Sequence, residues 1–171
     1  MLDSYYTYLN FPIDMPGLVL KINEHIRQNV DKFYHSRSNQ FRIDFNTELN
    51  DIINEIMPFR VSDAGVFRNV PKSIYPLHKD SHRRFAVNMQ LVDNHPDFDV
   101  GFVNDDKTES FPIPYVKNQF VLINTQHFHY IKNNSDSEDR YCVSIGCTTD
   151  NYSTIRKVFE IQNRIGLYQY N

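Results

Sequence analysis

The sequence predicts a mainly β domain with flanking helices, and three observations carry that expectation. From Arg60 onward, short apolar or alternating runs recur between turn-forming residues, the texture of antiparallel strands. Two segments in the first third and one after Asp150 instead carry apolar residues at the three-to-four spacing of amphipathic helices. The chain also has only two alanines (Ala64, Ala86) and 5 Gly against 13 Phe and 11 Tyr, a composition that favours strands over helical bundles. Its 171 residues suffice for one ordinary core and not for two comfortable ones.

The first helix is expected over Met15 to Tyr34, with Leu18, Ile22, Ile26, Val30 and Phe33 on one face, Asp14 as cap and Pro16 in the first turn. A second should cover Glu48 to Met57, with Leu49, Ile52, Ile53 and Ile56 on one side and Pro58 ending it. Strands are expected at Ala64–Val70, Arg84–Val92, Asp99–Val103, Glu109–Ile113, Phe120–Ile123, His127–Ile131 and Tyr141–Cys147. Polar stretches such as Asp93-Asn94-His95-Pro96 and Asn133-Asn134-Ser135-Asp136 separate them. Strands at such spacing imply an antiparallel sandwich or barrel rather than a βαβ sheet. A last helix should begin at Ser153 as cap and stop at Gly166. The expected organisation is one domain over 1–171: a mainly helical part over 1–59, a β core over 60–150 and a C-terminal helix over 151–171. The helices should cover one face of the sandwich.

Charge and composition narrow the function. With 18 basic and 21 acidic residues the formal charge is −3, and no basic run is present to grip a phosphate backbone, so no nucleic-acid partner is expected. No apolar run is long enough to span a bilayer, and the start Met-Leu-Asp-Ser-Tyr-Tyr has neither the charge nor the apolar stretch of a signal peptide. Cys142 and Cys147 are too few and too close for a disulfide scaffold. The expectation is a soluble, cytoplasmic domain.

Chemistry points to the seven histidines. A metal site of two imidazoles and one carboxylate occupies one face of an octahedron and leaves three positions open. His78 and Asp80, two apart, would share a face of an extended segment, and they precede the strand-like Arg84–Val92 run, where a rigid sheet edge can hold ligands. A second triplet, His95-Pro96-Asp97, lies in a turn-rich polar stretch and reads as surface loop. Downstream, His129 to Asn133 and Arg140 to Ile145 flank an acidic stretch and read as strand, hairpin turn, strand. Pairing of these two would bring Arg140 and Ser144 into the interior that His129 enters. An inward guanidinium with a hydroxyl beside it is a bidentate seat for a carboxylate. The alternative is that Arg140 begins its strand at the surface and pairs with Glu138 or Asp139.

These residues resemble a family. His78-x-Asp80, His129 and Arg140 look like the iron(II)- and 2-oxoglutarate-dependent oxygenases, whose double-stranded β-helix, a jelly-roll or cupin-like core, carries a His-x-Asp…His triad. His129-Tyr-Ile-Lys-Asn133 followed by Arg140 is similar to the aspartyl/asparaginyl β-hydroxylase branch. That branch typically lacks the acidic ligand, whereas Asp80 is present here, which moves the chain towards the prolyl-hydroxylase-like majority. The resemblance runs from Tyr75 to about Ile145. It implies His78, Asp80 and His129 as Fe(II) ligands, Arg140 on the distal carboxylate of 2-oxoglutarate, and Ser144 as an assisting donor. Asn88 and Gln90, on alternate positions of the next strand, are candidate hydrogen-bonding partners of that co-substrate, the alternative being that they are exposed. The implied reaction consumes O2 and 2-oxoglutarate, yields succinate and CO2, and hydroxylates a protein side chain or small amino-acid-like substrate in a dry pocket lined by Phe85, Phe128 and Tyr75. His127 shares the parity of His129, and His127-x-His129 also suits a cupin, although Lys132 and Asn133 stand where a cupin wants Glu; His127 is expected behind the site or at the surface. His25, His35 and His82 are expected to be solvated. Two other classes remain at this point: a cupin-like metalloenzyme not using 2-oxoglutarate, and a non-catalytic binding module of the same fold.

Overall fold

Alternation along the strands sorts the molecule into layers. In the computed structural model, which describes residues 4–9, 11, 14–37, 40–92, 96–148 and 150–164, eleven strands and three α-helices follow the order β1(Tyr6–Leu9), α1(Met15–Gln28), β2(Tyr34–Arg37), β3(Gln40–Asp44), α2(Thr47–Ile56), β4(Asp63–Asn69), β5(Ser73–His78), β6(Phe85–Gln90), β7(Phe98–Val103), β8(Ser110–Pro112), β9(Phe120–Ile123), β10(Phe128–Asn133), β11(Arg140–Cys147) and α3(Tyr152–Arg164). They form a seven-stranded sheet, β1-β9-β6-β11-β4-β3-β2, and a four-stranded sheet, β5-β10-β7-β8. All pairings are antiparallel. This is the sandwich expected, with the helices against one face of the larger sheet.

On β6, β9 and β11, Phe85, Val87, Met89, Phe120, Leu122, Val143 and Ile145 face one core, shared with Leu18, Ile22, Leu49, Ile53, Ile155 and Phe159 of the helices. The opposite parity faces the smaller sheet, where Ala86, Val121 and Ile123 meet Val100, Phe102, Ile113 and Tyr115. Fully burying each large aliphatic side chain stabilises the fold by about 1.5–3 kcal/mol, so a one-residue slip of any central strand would exchange two whole faces.

α1 starts where expected, α2 one residue earlier, and α3 ahead of its expected cap Ser153. Asp14 accepts from the Gly17 N–H at 3.0 Å, and Asn46 caps α2 through the Leu49 N–H at 2.9 Å. α1 stops at Gln28 rather than Tyr34: the Asn29 side chain donates to the His25 carbonyl at 2.8 Å, a short 3-10 turn covers Val30–Lys32, and the chain then enters β2. Val30 is exposed, so its helical spacing was coincidental. For α3 the cap is Asn151, which accepts from the Thr154 N–H and the Ser153 hydroxyl; Gly166 lies outside the described residues.

Residues 1–59 also supply three strands that the sequence does not announce, and β2 and β3 widen the large sheet. β5 was likewise unforeseen. It contains Pro76, and a proline belongs on an edge strand, which is where β5 sits. The expected β10–β11 hairpin does not form: β10 lies between β5 and β7, while β11 lies between β6 and β4. The acidic stretch crosses from one sheet to the other. Because the sheets face each other, His129 and Arg140 still enter one interior. Cys142 and Cys147 are both buried.

Candidate metal centre

His78 ends β5 and stands directly opposite His129 on β10. The register slips between His129 and Ile131: the step from His78 to Tyr75 spans one residue more than the step from His129 to Ile131. That β-bulge lets both Tyr75 and His78 face inward, with ring centroids 4.3 Å apart. Asp80 follows in the loop, its N–H donating to the Thr125 carbonyl at 3.0 Å.

The imidazoles are oriented by main-chain carbonyls. Nδ1 of His78 lies 2.8 Å from the Pro76 oxygen, and Nδ1 of His129 lies 3.0 Å from the His127 oxygen. A carbonyl only accepts, so each Nδ1 carries a hydrogen, and in the neutral ring each Nε2 then presents its lone pair. These Nε2 atoms stand 3.3 and 3.8 Å from Asp80 Oδ1, and the three donor atoms lie within 4.8 Å of one another. Two imidazole nitrogens and one carboxylate oxygen gathered at one point fit a divalent transition metal.

The electrostatics suit that purpose. Burial alone would push the Asp80 carboxyl up, but the His78 hydrogen bond and the charge and hydrogen bond of Arg83 hold it well below the usual carboxylate range. Burial, helped by the like charge of His78, lowers His129 to about 4. At neutral pH the site therefore offers a carboxylate and a neutral imidazole at 129, the forms a metal takes.

A cavity of about 430 Å³ runs from these ligands to Arg140, Tyr115, Asn88 and Ser144. Arg140 is 1% exposed, which rules out the surface alternative; neighbouring Asp139 pairs with Arg68 instead, at 2.7 Å. Arg140 Nε donates to Gln90 Oε1 and Nη1 to Asn69 Oδ1, both at 3.3 Å, and its guanidinium carbon lies 5.5 Å from the Tyr115 ring centroid. Among the described residues no carboxylate pairs with it. A buried cation with only neutral partners is costly unless an anion joins it. Asn88 Nδ2 reaches the Tyr115 hydroxyl at 3.5 Å, while Asn88 Oδ1 is buried without a partner among the described residues. Burial pushes the Tyr115 hydroxyl up, so it stays protonated.

All six residues singled out in the sequence (His78, Asp80, His129, Arg140, Ser144 and Asn88) thus line one cavity. Gln90 is buried and holds Arg140 in place. His127 serves through its carbonyl, with its ring against Tyr5. His35 and His82 are exposed, whereas His25, expected in solvent, is buried with Nε2 3.0 Å from the Asp44 carbonyl. His95 lies outside the described residues. Of the expected wall residues, Tyr75 lines the cavity, but Phe85 faces the helices and Phe128 packs under the ammonium groups of Lys79 and Lys107. Phe102, Ile113 and Ile131 form the apolar wall instead. Arg83, Asn69 and Tyr115 were missed; Tyr115 lies outside any strand, so no alternation marked it as inward.

The sandwich, with its cavity between two sheets, is a double-stranded β-helix, the fold of the 2-oxoglutarate-dependent oxygenases. It is similar to a prolyl hydroxylase from Trichoplax adhaerens solved with a hypoxia inducible factor peptide, at a TM-score of 0.63 and 11% identity over 92% of this chain and 88% of that one. A Pseudomonas putida prolyl-4-hydroxylase gives 0.58 and 12%, over 85% and 93%. HygX from Streptomyces hygroscopicus, with nickel, 2-oxoglutarate and hygromycin B bound, gives 0.54 and 11%, over 88% and 86%. No protein-family model matches the sequence, and no curated protein matches it. Among the described residues no helix is long and apolar enough to cross a membrane.

Proposed function

We propose that this protein is an Fe(II)- and 2-oxoglutarate-dependent oxygenase that hydroxylates a protein side chain or a small amino-acid-like substrate. The observation that carries the reading is a single cavity joining a two-imidazole, one-carboxylate face to a buried guanidinium with only neutral partners among the described residues. His78, Asp80 and His129 would hold the iron, which supplies the oxygen activation coupled to conversion of 2-oxoglutarate into succinate and CO2. Arg140 seats the distal carboxylate of the co-substrate by charge and paired N–H donors. Asn88 and Ser144, on the same side of β6 and β11 and in register, face the path between the two ends. Phe102, Ile113 and Ile131 keep water from that path. The prolyl hydroxylases among the similar structures support an amino-acid side chain as substrate.

The test is anaerobic addition of 2-oxoglutarate to the Fe(II)-loaded protein, followed by oxygen and assay of succinate. A weak visible charge-transfer band and succinate formation are expected, both lost in His129→Ala. No band in the wild-type protein at saturating co-substrate overturns the reading. Succinate-independent activity indifferent to Arg140→Ala would place the protein with cupin-like metalloenzymes.

A further inference from the structure

The loop between Asp80 and β6 carries a guanidinium that the reading above leaves unused. Arg83 Nε donates to Asp80 Oδ2 at 2.6 Å, and its Nη1 donates to Ser144 Oγ at 2.9 Å. The contact is not a loose surface pair: the two side chains are only 21% and 15% exposed, and the loop beneath them is tied down. The Thr125 hydroxyl donates to the Arg83 carbonyl at 2.8 Å, and Gln126 Nε2 donates to the carbonyls of both Asp80 and Arg83. The Arg83 stem passes over β11 at Gly146, where an added Cβ would meet Arg83 Cδ at 3.2 Å. A glycine at that position of the inward-facing row Arg140, Cys142, Ser144, Gly146 leaves the lane open.

We infer that Arg83 is a positioning residue that makes Asp80 a one-oxygen ligand; this rests on the reading of His78, Asp80 and His129 as the metal centre. With Oδ2 committed to the guanidinium, Oδ1 is the oxygen that stands beside both imidazole Nε2 atoms. A carboxylate free to turn can give both oxygens to an ion and fill a position that a bidentate co-substrate needs. Arg83, anchored at its far end on Ser144, prevents that turn. Outer partners of metal ligands are worth about 10- to 100-fold in affinity or activity, and a planar fork holding two acceptors at fixed directions is a task Lys performs only in part.

The experiment uses Co(II) as a spectroscopic probe in the full chain. Wild type, Arg83→Met, Arg83→Lys and Ser144→Ala are loaded with Co(II), their visible spectra are recorded, and 2-oxoglutarate is titrated into the first three. In Arg83→Met the Co(II) spectrum should change before co-substrate is added, and 2-oxoglutarate affinity should fall about tenfold or more. Arg83→Lys should recover most of the affinity, and Ser144→Ala should shift the spectrum in the same direction by less. A wild-type spectrum in Arg83→Met with affinity within about threefold overturns the inference, and should that variant not fold, an unshifted Ser144→Ala spectrum does so. Failure of the metal-centre reading shows itself separately, as wild-type protein with no Co(II) signal that His129→Ala removes.

Discussion

The two ends of the cavity are built by opposite means. At the metal end the ligands belong to the small sheet and its loop, and main-chain carbonyls of Pro76 and His127 aim the rings. At the far end Arg140 belongs to the large sheet, is fully enclosed, and is held by the side chains of Gln90 and Asn69. A metal site needs lone pairs converging on one point, and backbone anchors give that rigidity while keeping each imidazole in one tautomer. An anion site needs positive charge left uncancelled, and among the described residues the supports of Arg140 are neutral amides.

If that division is right, the ends come apart under mutation. The largest effect is expected at the metal end: His129→Ala should lower Mn(II) or Co(II) affinity more than 100-fold, beyond the usual loss for an outer partner, as measured by calorimetry. Retained affinity would remove His129 from the ligand set. Arg140→Met should weaken 2-oxoglutarate binding to the Mn(II)-loaded protein by about 1.5–3 kcal/mol, roughly 10- to 150-fold, while Mn(II) affinity stays within about threefold. Parallel losses of both ligands would mean that the two ends are one cooperative unit.

A pH series sharpens the electrostatic half. Burial lowers His129 from an ordinary 6.5 to about 4, so between these values the unfolded chain binds a proton that the native one does not. Stability of the metal-free protein should be complete above about 6.5 and decline as pH falls towards 4. Urea midpoints from pH 7 to 4.5 should show a shallower slope for His129→Gln; an equal slope refutes the assignment. The smallest effect is expected for Asn88→Ala, whose unpartnered oxygen leaves one neutral hydrogen bond to lose, about 0.5–1.5 kcal/mol, or some two- to tenfold in 2-oxoglutarate affinity. No change there would make Asn88 a wall residue only.

Legibility divides along similar lines. Elements whose faces alternate between two environments were readable: Phe120–Ile123 matches its expected bounds, and β4, β6, β7 and β11 differ by a residue or two. The inward parity of Arg140, Cys142 and Ser144 followed from the same period of two, whereas the ligand set of His78, Asp80 and His129 came from the family resemblance. β1, β2 and β3 escaped because they are short and lie at or near the margins of the large sheet, where fewer side chains need a buried partner and the pattern weakens. His25 escaped because its partner is a backbone carbonyl nineteen residues away, which leaves no mark on residue type.

From its residues alone, then, the chain determined a β sandwich with helices on one side and a set of polar residues pointing inward, because solvent and core sort side chains locally and repeatedly. Tertiary structure decided which sheet each strand joins, the bulge that turns His78 towards His129, the placing of Tyr115 in the wall, and the Arg83 contact with Asp80 and Ser144. Those outcomes depend on contacts between segments far apart in the chain, where register and loop crossings, not local periodicity, fix which side chains meet.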